Sequence, residues 1–255
     1  MIQDQQSMGI DYDHSANDHS ITGPEAALPW LLGEDRPASV LDVGCGIGTW
    51  LRAFQQLGIT DVFGIDGVDV PEDALLVSKK LFAHHDLSKP LELGRRFDLL
   101  LCLEVAEHLD PEAGERLVAS LTQHADTIFF SAAAPGQPGQ HHVNCQWPSY
   151  WQEIFNARGY ACDDAVRWRM WSDGRIEHWY RQNTFCARKN ILLAGHEPRI
   201  VAVIHPESLP GYPRTEAFAN TVNLIADGYM PTRWYLSTTY SIVSSRLRRK
   251  LTWGA

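Results

Sequence analysis

The sequence has no apolar stretch near the roughly 20 residues needed to cross a bilayer, so a spanning helix is not expected. No apolar run occurs in its first twenty residues either. That stretch carries Asp4, Asp11, Asp13 and Asp18, and no secretory leader is expected. The five cysteines, Cys45, Cys102, Cys145, Cys162 and Cys186, are odd in number and lack CxxC spacing. This argues against a disulfide framework or a zinc knuckle and points to a reducing, cytoplasmic setting. Positive charge is scarce: 22 Lys and Arg face 31 Asp and Glu, for a net charge of -9. A phosphate backbone would be repelled by such a surface, and nucleic acid is not an expected partner. Internal repeats and low-complexity segments are also lacking.

What is present is an alternation of strand and helix signals. Residues 1–22 lack hydrophobic periodicity and read as an irregular arm, in which Tyr12, His14 and His19 offer a lid. A helix follows Gly23-Pro24 and stops at Gly33. Ser39–Val43, Asp61–Asp66, Phe97–Leu103 and Thr127–Ser131 are short apolar runs read as buried strands. Helices are expected over 50–57, 71–82 and 112–123, with another reaching Gly159. The pattern predicts right-handed βαβ units around a parallel sheet. After residue 145 the composition shifts, because seven of the nine tryptophans lie from Trp147 onward. Two β-rich runs, 165–171 and 176–187, suggest the antiparallel hairpin that closes such a sheet.

The first strand runs into Asp42-Val43-Gly44-Cys45-Gly46-Ile47-Gly48-Thr49-Trp50. Glycines at 44, 46 and 48 let the backbone turn tightly against a ligand, and the following helix offers its N-terminal amides. The spacing is GxGxG, not the GxGxxG that aims a helix at a pyrophosphate. Asp42 would repel pyrophosphate but suits a cationic ligand, such as a sulfonium or an amine. Asp66 ends the second strand 18 residues beyond Gly48, where an acid can accept hydrogen bonds from both ribose hydroxyls.

Residues 40–48 resemble the first motif of class I S-adenosylmethionine-dependent methyltransferases. The resemblance continues in order to residue 135. It implies a Rossmann-like, doubly wound α/β fold with a mostly parallel seven-stranded sheet and an antiparallel last strand. It also implies S-adenosylmethionine as cofactor, held by Asp42, Gly44, Gly46, Gly48, Trp50 and Leu103, with Asp66 on the ribose and Asp86-Leu87 on the adenine. The expected division is an arm and helix over 1–34, the cofactor-binding domain over 35–205, and an extension over 206–255.

Glu104-Val105-Ala106-Glu107-His108 follows the fourth strand, at the sheet end where this fold binds ligands. His141-His142 follows the fifth. Two carboxylates and two imidazoles offer a set for Mg²⁺, Mn²⁺, Fe²⁺ or Co²⁺. The pattern resembles small-RNA 3′-terminal 2′-O-methyltransferases, whose longer spacing is not reproduced, and is similar to ubiquinone-pathway O-methyltransferases acting on catechols. Carried over, the ligands are Glu104, Glu107, His108 and one of His141 or His142, with His142 preferred. The alternatives are a metal-free base at His108 or His142, or a purely structural role.

Ala134–Gln140 is a Gly/Pro loop leading into those histidines, and Trp147, Tyr150 and Trp151 follow. Aromatic faces and the amides of Asn144 and Gln146 suit a sugar or polyhydroxylated acceptor. The stretch 131–160 with Trp179–Asn183 resembles methyltransferases of bacterial glycan and natural-product clusters. The expected function is O-methylation of such an acceptor. The alternatives are N- or C-methylation of a secondary metabolite, or a non-catalytic cofactor-binding partner. In the tail, Leu236, Tyr240, Val243, Leu247 and Leu251 recur at helical spacing among Arg246, Arg248, Arg249 and Lys250. This offers weak contact with an anionic membrane, or simply a packed helix with a solvated basic face. The oligomeric state is left open.

Overall fold

The computed structural model describes residues 12–14 and 20–209, together with Thr232 and Leu236, which are helical and exposed. The chain divides into two compact units, Met1–Ser208 and Leu209–Ala255. The amphipathic tail lies outside the described residues apart from Leu236.

The first unit is built on seven strands: β1 (Ser39–Val43), β2 (Asp61–Asp66), β3 (Phe82–His84), β4 (Leu99–Leu103), β5 (Thr127–Ser131), β6 (Tyr160–Asp163) and β7 (Phe185–Lys189). Their order is β3-β2-β1-β4-β5-β7-β6. β7 runs antiparallel to both its neighbours, and the other pairs are parallel. The order reverses between β1 and β4, so the loops leaving their C-terminal ends flank one crevice.

Successive side chains of a strand point to opposite faces, and here both faces are buried. Leu41, Val43, Leu100, Cys102, Ile128 and Phe130 face one layer, with α3 (Pro111–His124) and α4 (Pro148–Asn156). Val40, Leu99, Leu101, Leu103 and Phe129 face the other, with α1 (Thr22–Leu32), α2 (Thr49–Gln56) and α5 (Ala165–Met170). Local chemistry sets the ends of these helices. Asp110 accepts the Ala113 amide at 2.8 Å and Pro111 takes the first position of α3, while α1 stops at Gly33 with φ 57°.

Two expected segments differ. Residues 71–82 form no α-helix; they hold two short 3₁₀ turns, 72–74 and 79–81, joined by extended chain. Leu75, Leu76 and Val77 are consecutive rather than spaced along one helix face. The segment is pulled onto the glycine loop instead, with the Leu76 amide donating to Ile47 O at 2.9 Å and Val77 buried. The closing hairpin is β6–β7, not 165–171 with 176–187. Val166 and Met170, four apart, are buried while Trp168 and Arg169 face outward, which is helical spacing for α5. Residues His178–Asn183 form α6, with Arg181, Gln182 and Asn183 buried.

Candidate functional site

The glycine loop and the segment after β4 meet closely. The amides of Gly44 and Cys45 both donate to Ile65 O, at 2.7 and 3.0 Å, so the loop folds over the end of β2. Gly44 has φ 82°, and a Cβ there would lie 2.1 Å from Val105 Cγ2. Only glycine satisfies both demands. Gly46 and Gly48 share the left-handed region, and α2 starts at Thr49 with its amides at the loop.

Asp66 is buried at the end of β2. It accepts the Gly46 amide at 2.7 Å and the Val68 amide at 2.9 Å. His14 Nε2 stands 3.3 Å from the same carboxylate. The arm continues across the crevice. Tyr12 packs edge-on against both His14 and His108, and Asp13 exchanges two 3.1 Å hydrogen bonds with the side chain of Gln140.

Asp42 is 2% exposed, and its Oδ2 has no hydrogen-bond partner among the described residues. Burial, and secondarily Asp66, push its carboxyl up to about 8. Trp50 is buried with its ring edge-on to Tyr180, centroids 5.4 Å apart. Leu103, at the end of β4, is buried, as is Leu87. Asp86 is exposed. Its partial burial is outweighed by two donors from Ser88, at 3.0 and 2.7 Å, which hold its carboxyl below the ordinary range.

The acidic-histidine segment is drawn together by backbone bonds. The amides of Val143 and Asn144 donate to Glu107 O at 2.9 and 3.0 Å, docking the 137–142 loop on the turn after β4. Glu107, His108 and His142 thereby place ligand atoms within 4.8 Å of one another. Glu107 is fully buried, and neither carboxylate oxygen has a hydrogen-bond partner among the described residues. Burial, then the nearby Glu104, hold its carboxyl well above the usual range. His108 is pushed down to about 4 by burial and by His142, and its buried Nδ1 is also without a partner there. The two imidazoles lie 5.0 Å apart between centroids. His142 Nδ1 lies 3.0 Å from Gln137 O; a carbonyl only accepts, so Nδ1 is the donor, and in the neutral ring Nε2 is then the bare nitrogen.

Glu104 is not in that group of three. Its φ is 56°, a strained value outside glycine, and its amide is held by Ser131 O and Oγ at 3.0 and 3.1 Å. Its carboxylate accepts from Gln137 Nε2 at 2.7 Å and from Asn183 Nδ2 at 3.1 Å. His141 is exposed. Tyr12, His14, Gln137 and Asn183 border this region from distant parts of the chain. Of these, the sequence singled out the arm as a lid and 179–183 by resemblance alone. A cleft of about 290 Å³, lined in part by Leu31, Arg36, Asp98 and Arg188, lies at the opposite end of the sheet, away from these groups.

The chain is similar to known proteins over part of its length. Ubiquinone biosynthesis O-methyltransferase of Pseudomonas fluorescens is 33% identical over 102 residues, 36% of this chain and 43% of that protein. The enzyme of the same name from Bordetella avium is 29% identical over 122 residues, 41% and 47% of the two chains. The chain thus spans less than half the length of the curated relatives it matches. Among solved structures, the 1,6-didemethyltoxoflavin-N1-methyltransferase of Burkholderia thailandensis aligns at 22% identity, TM-score 0.47, over 69% of this chain and 81% of that one. The plantazolicin methyltransferase BpumL aligns at 15%, TM-score 0.48, over 68% and 84%. A sequence model of the family described as Methyltransferase domain matches residues 22–186, well over half of the chain. The chain belongs to this methyltransferase-domain family.

Proposed function

We propose that the protein transfers the methyl group to a hydroxyl of a sugar, glycan or other polyhydroxylated acceptor. The observation that carries this reading is the convergence of Glu107, His108 and His142 beside the glycine loop. Relatives named for O-methylation support an oxygen acceptor.

On this reading Gly44, Gly46 and Gly48 shape the cofactor loop, Asp42 faces the cationic end of the cofactor, and Trp50 and Leu103 close the pocket beneath it. Asp66 takes the ribose and Asp86-Leu87 borders the adenine. Ribose hydroxyls reaching Asp66 meet His14 there, which makes Tyr12–His14 part of the cofactor's cover. In the metal-free site His142 Nε2 accepts the acceptor's hydroxyl proton. As the O–CH₃ bond forms, the S–CH₃ bond breaks and the sulfonium leaves as a neutral thioether. The chain contributes mainly alignment and a field suited to a cation losing its charge.

The same three residues fit a divalent cation. Glu107 offers a buried carboxylate whose oxygens lack hydrogen bonds among the described residues, His108 a buried nitrogen without a partner among them, and His142 a ring nitrogen. Glu107, His108 and His142 would hold such an ion, and Glu104, committed to Gln137 and Asn183, would stand behind them. When bound, the ion supplies acidification of a chelated hydroxyl.

The test is calorimetric titration of S-adenosylhomocysteine with and without Mg²⁺, Mn²⁺ and Fe²⁺, with elemental analysis, followed by methyl-transfer screens on sugars and catechols. Stoichiometric metal lost in Glu107→Gln is the expected result. Full activity in excess chelator removes the metal, and transfer to amines but no hydroxyl overturns the acceptor class.

A further inference from the structure

The buried amide of Asn183 sits at the junction of three segments that are far apart in sequence. Its Nδ2 donates to Glu104 Oε1 at 3.1 Å and to Gln137 Oε1 at 2.9 Å, and its Oδ1 accepts from Gln182 Nε2 at 3.0 Å. Both donors and the carbonyl oxygen of the amide are thereby engaged. Asn183 is 1% exposed, as is Gln182. Gln182 is in turn fixed from behind, because its Oε1 accepts the His205 amide at 2.7 Å and the Ser208 hydroxyl at 2.9 Å.

The bonds continue toward the histidines. Gln137 donates its own amide to Glu104 Oε2 at 2.7 Å, so Glu104, Gln137 and Asn183 close a triangle. The backbone carbonyl of Gln137 accepts the proton on His142 Nδ1 at 3.0 Å. Gln137 lies on a Gly/Pro-rich loop, and its neighbours Gly136, Pro138 and Gly139 are exposed. Its backbone is held at two points: the Gln137 amide donates to Ala134 O at 3.0 Å, and the side chain is tied to Glu104 and Asn183.

We infer that Asn183 is a positioning residue: by tying Gln137 to Glu104 it helps to hold the carbonyl that keeps the neutral His142 ring in one tautomer, with Nε2 bare. The inference rests on the role of His142 given above, yet it makes a separate statement about the imidazole. A ring nitrogen is fixed as base or ligand by the hydrogen bond its partner nitrogen makes. Without Asn183 two bonds to Gln137 and Glu104 are lost, the loop carbonyl is released, and the imidazole samples both tautomers.

The experiment uses the full chain, labelled with ¹⁵N-histidine and treated with chelator, and records long-range ¹H–¹⁵N imidazole spectra at one mildly alkaline pH. The His142 signals are assigned by their loss in His142→Gln. The wild-type protein is expected to show one protonated and one bare nitrogen. In Asn183→Ala, and in the isosteric Asn183→Asp, which sets an acceptor oxygen where the donor faced two acceptors, the two ¹⁵N shifts are expected to move toward each other. Should the buried variants fail to fold, Gln137→Ala on the half-exposed loop is expected to give the same change. A wild-type His142 with averaged nitrogens overturns the inference, as does a single tautomer persisting in the variants. Neither result depends on methyl transfer. Conversely, undiminished transfer by His142→Gln removes that residue's chemical role while leaving the tautomer measurement intact.

Discussion

Replacing Asp42 by Asn should stabilise the protein, and by an amount that grows with pH. Asp42 lies at 2% exposure under the glycine loop, and its carboxyl, ordinarily near 3.8, is pushed up to about 8 by burial and by Asp66. Between those values the unfolded chain has lost this proton and the folded chain has kept it. The native state therefore binds more protons, and stability falls as pH rises across that window. Each pH unit is worth about 1.4 kcal/mol, so at pH 7 the linked loss is on the order of 4 kcal/mol. Asn cannot ionise, so Asp42→Asn escapes the loss. Its amide meets the same lack of partners as a protonated carboxyl, so the shape of the site is kept at similar cost. Urea unfolding at pH 5, 6, 7 and 8, followed by tryptophan fluorescence, measures the difference. The advantage of the variant should rise with each step, toward about 1.4 kcal/mol per unit at most. Saturating S-adenosylmethionine, whose positive charge favours the ionised carboxylate, should flatten the wild-type slope. A difference that stays constant or shrinks between pH 5 and 8 would falsify the account.

Gly44→Ala sets a Cβ 2.1 Å from Val105 Cγ2 at φ 82°. It should weaken S-adenosylhomocysteine binding by tenfold or more in calorimetry and lower stability by about 1–3 kcal/mol. Glu107→Gln removes a carboxyl that burial already disfavours as an anion; uptake of Mn²⁺ should vanish in elemental analysis while the unfolding midpoint stays level or rises. His108, pushed down to about 4, should remain neutral from pH 5.5 to 8, with its imidazole shifts constant over that range by NMR. Its folded-state value lies below the unfolded one, so its linked stability is complete above about pH 6.5. That stability is lost as pH falls toward 4, when the unfolded chain takes up the proton first.

The cofactor side was legible because it is local: a strand, a glycine turn and a helix within Ser39–Gln56, then Asp66 on the neighbouring strand. The alternation of strand and helix was read from the same kind of local signal, whereas the seven-stranded sheet with its antiparallel last strand came from the resemblance. The acceptor side was legible only in part. Glu107 and His108 stood together, and His142 was marked, but what joins them is a pair of backbone amides at 143 and 144 reaching Glu107 O. The contact of Asn183 with Glu104 spans 79 residues, and no local pattern announces it. Residues 165–187 misled for a different reason. Tryptophan, tyrosine and β-branched residues suggested strands, yet Arg167 and Arg181 are almost fully buried within it. Their guanidinium groups bond Gln182 O and Trp171 O, tertiary contacts that override composition.

The clash that forbids a side chain at residue 44 also constrains how this protein can be altered. Val105 occupies the space a Cβ would need, so the segment after β4 is keyed to the cofactor loop at that point. Exchanging Val105 for a bulkier residue would disturb donor and acceptor halves together. The 137–142 loop has no such key to the glycines. A library aimed at new acceptors should therefore begin at Pro138, Gln140 and His141 of that loop, sparing Gln137, Gly139 and His142, and leave 104–105 untouched. Specificity can then drift on one side of the crevice while the methyl donor is held as before on the other.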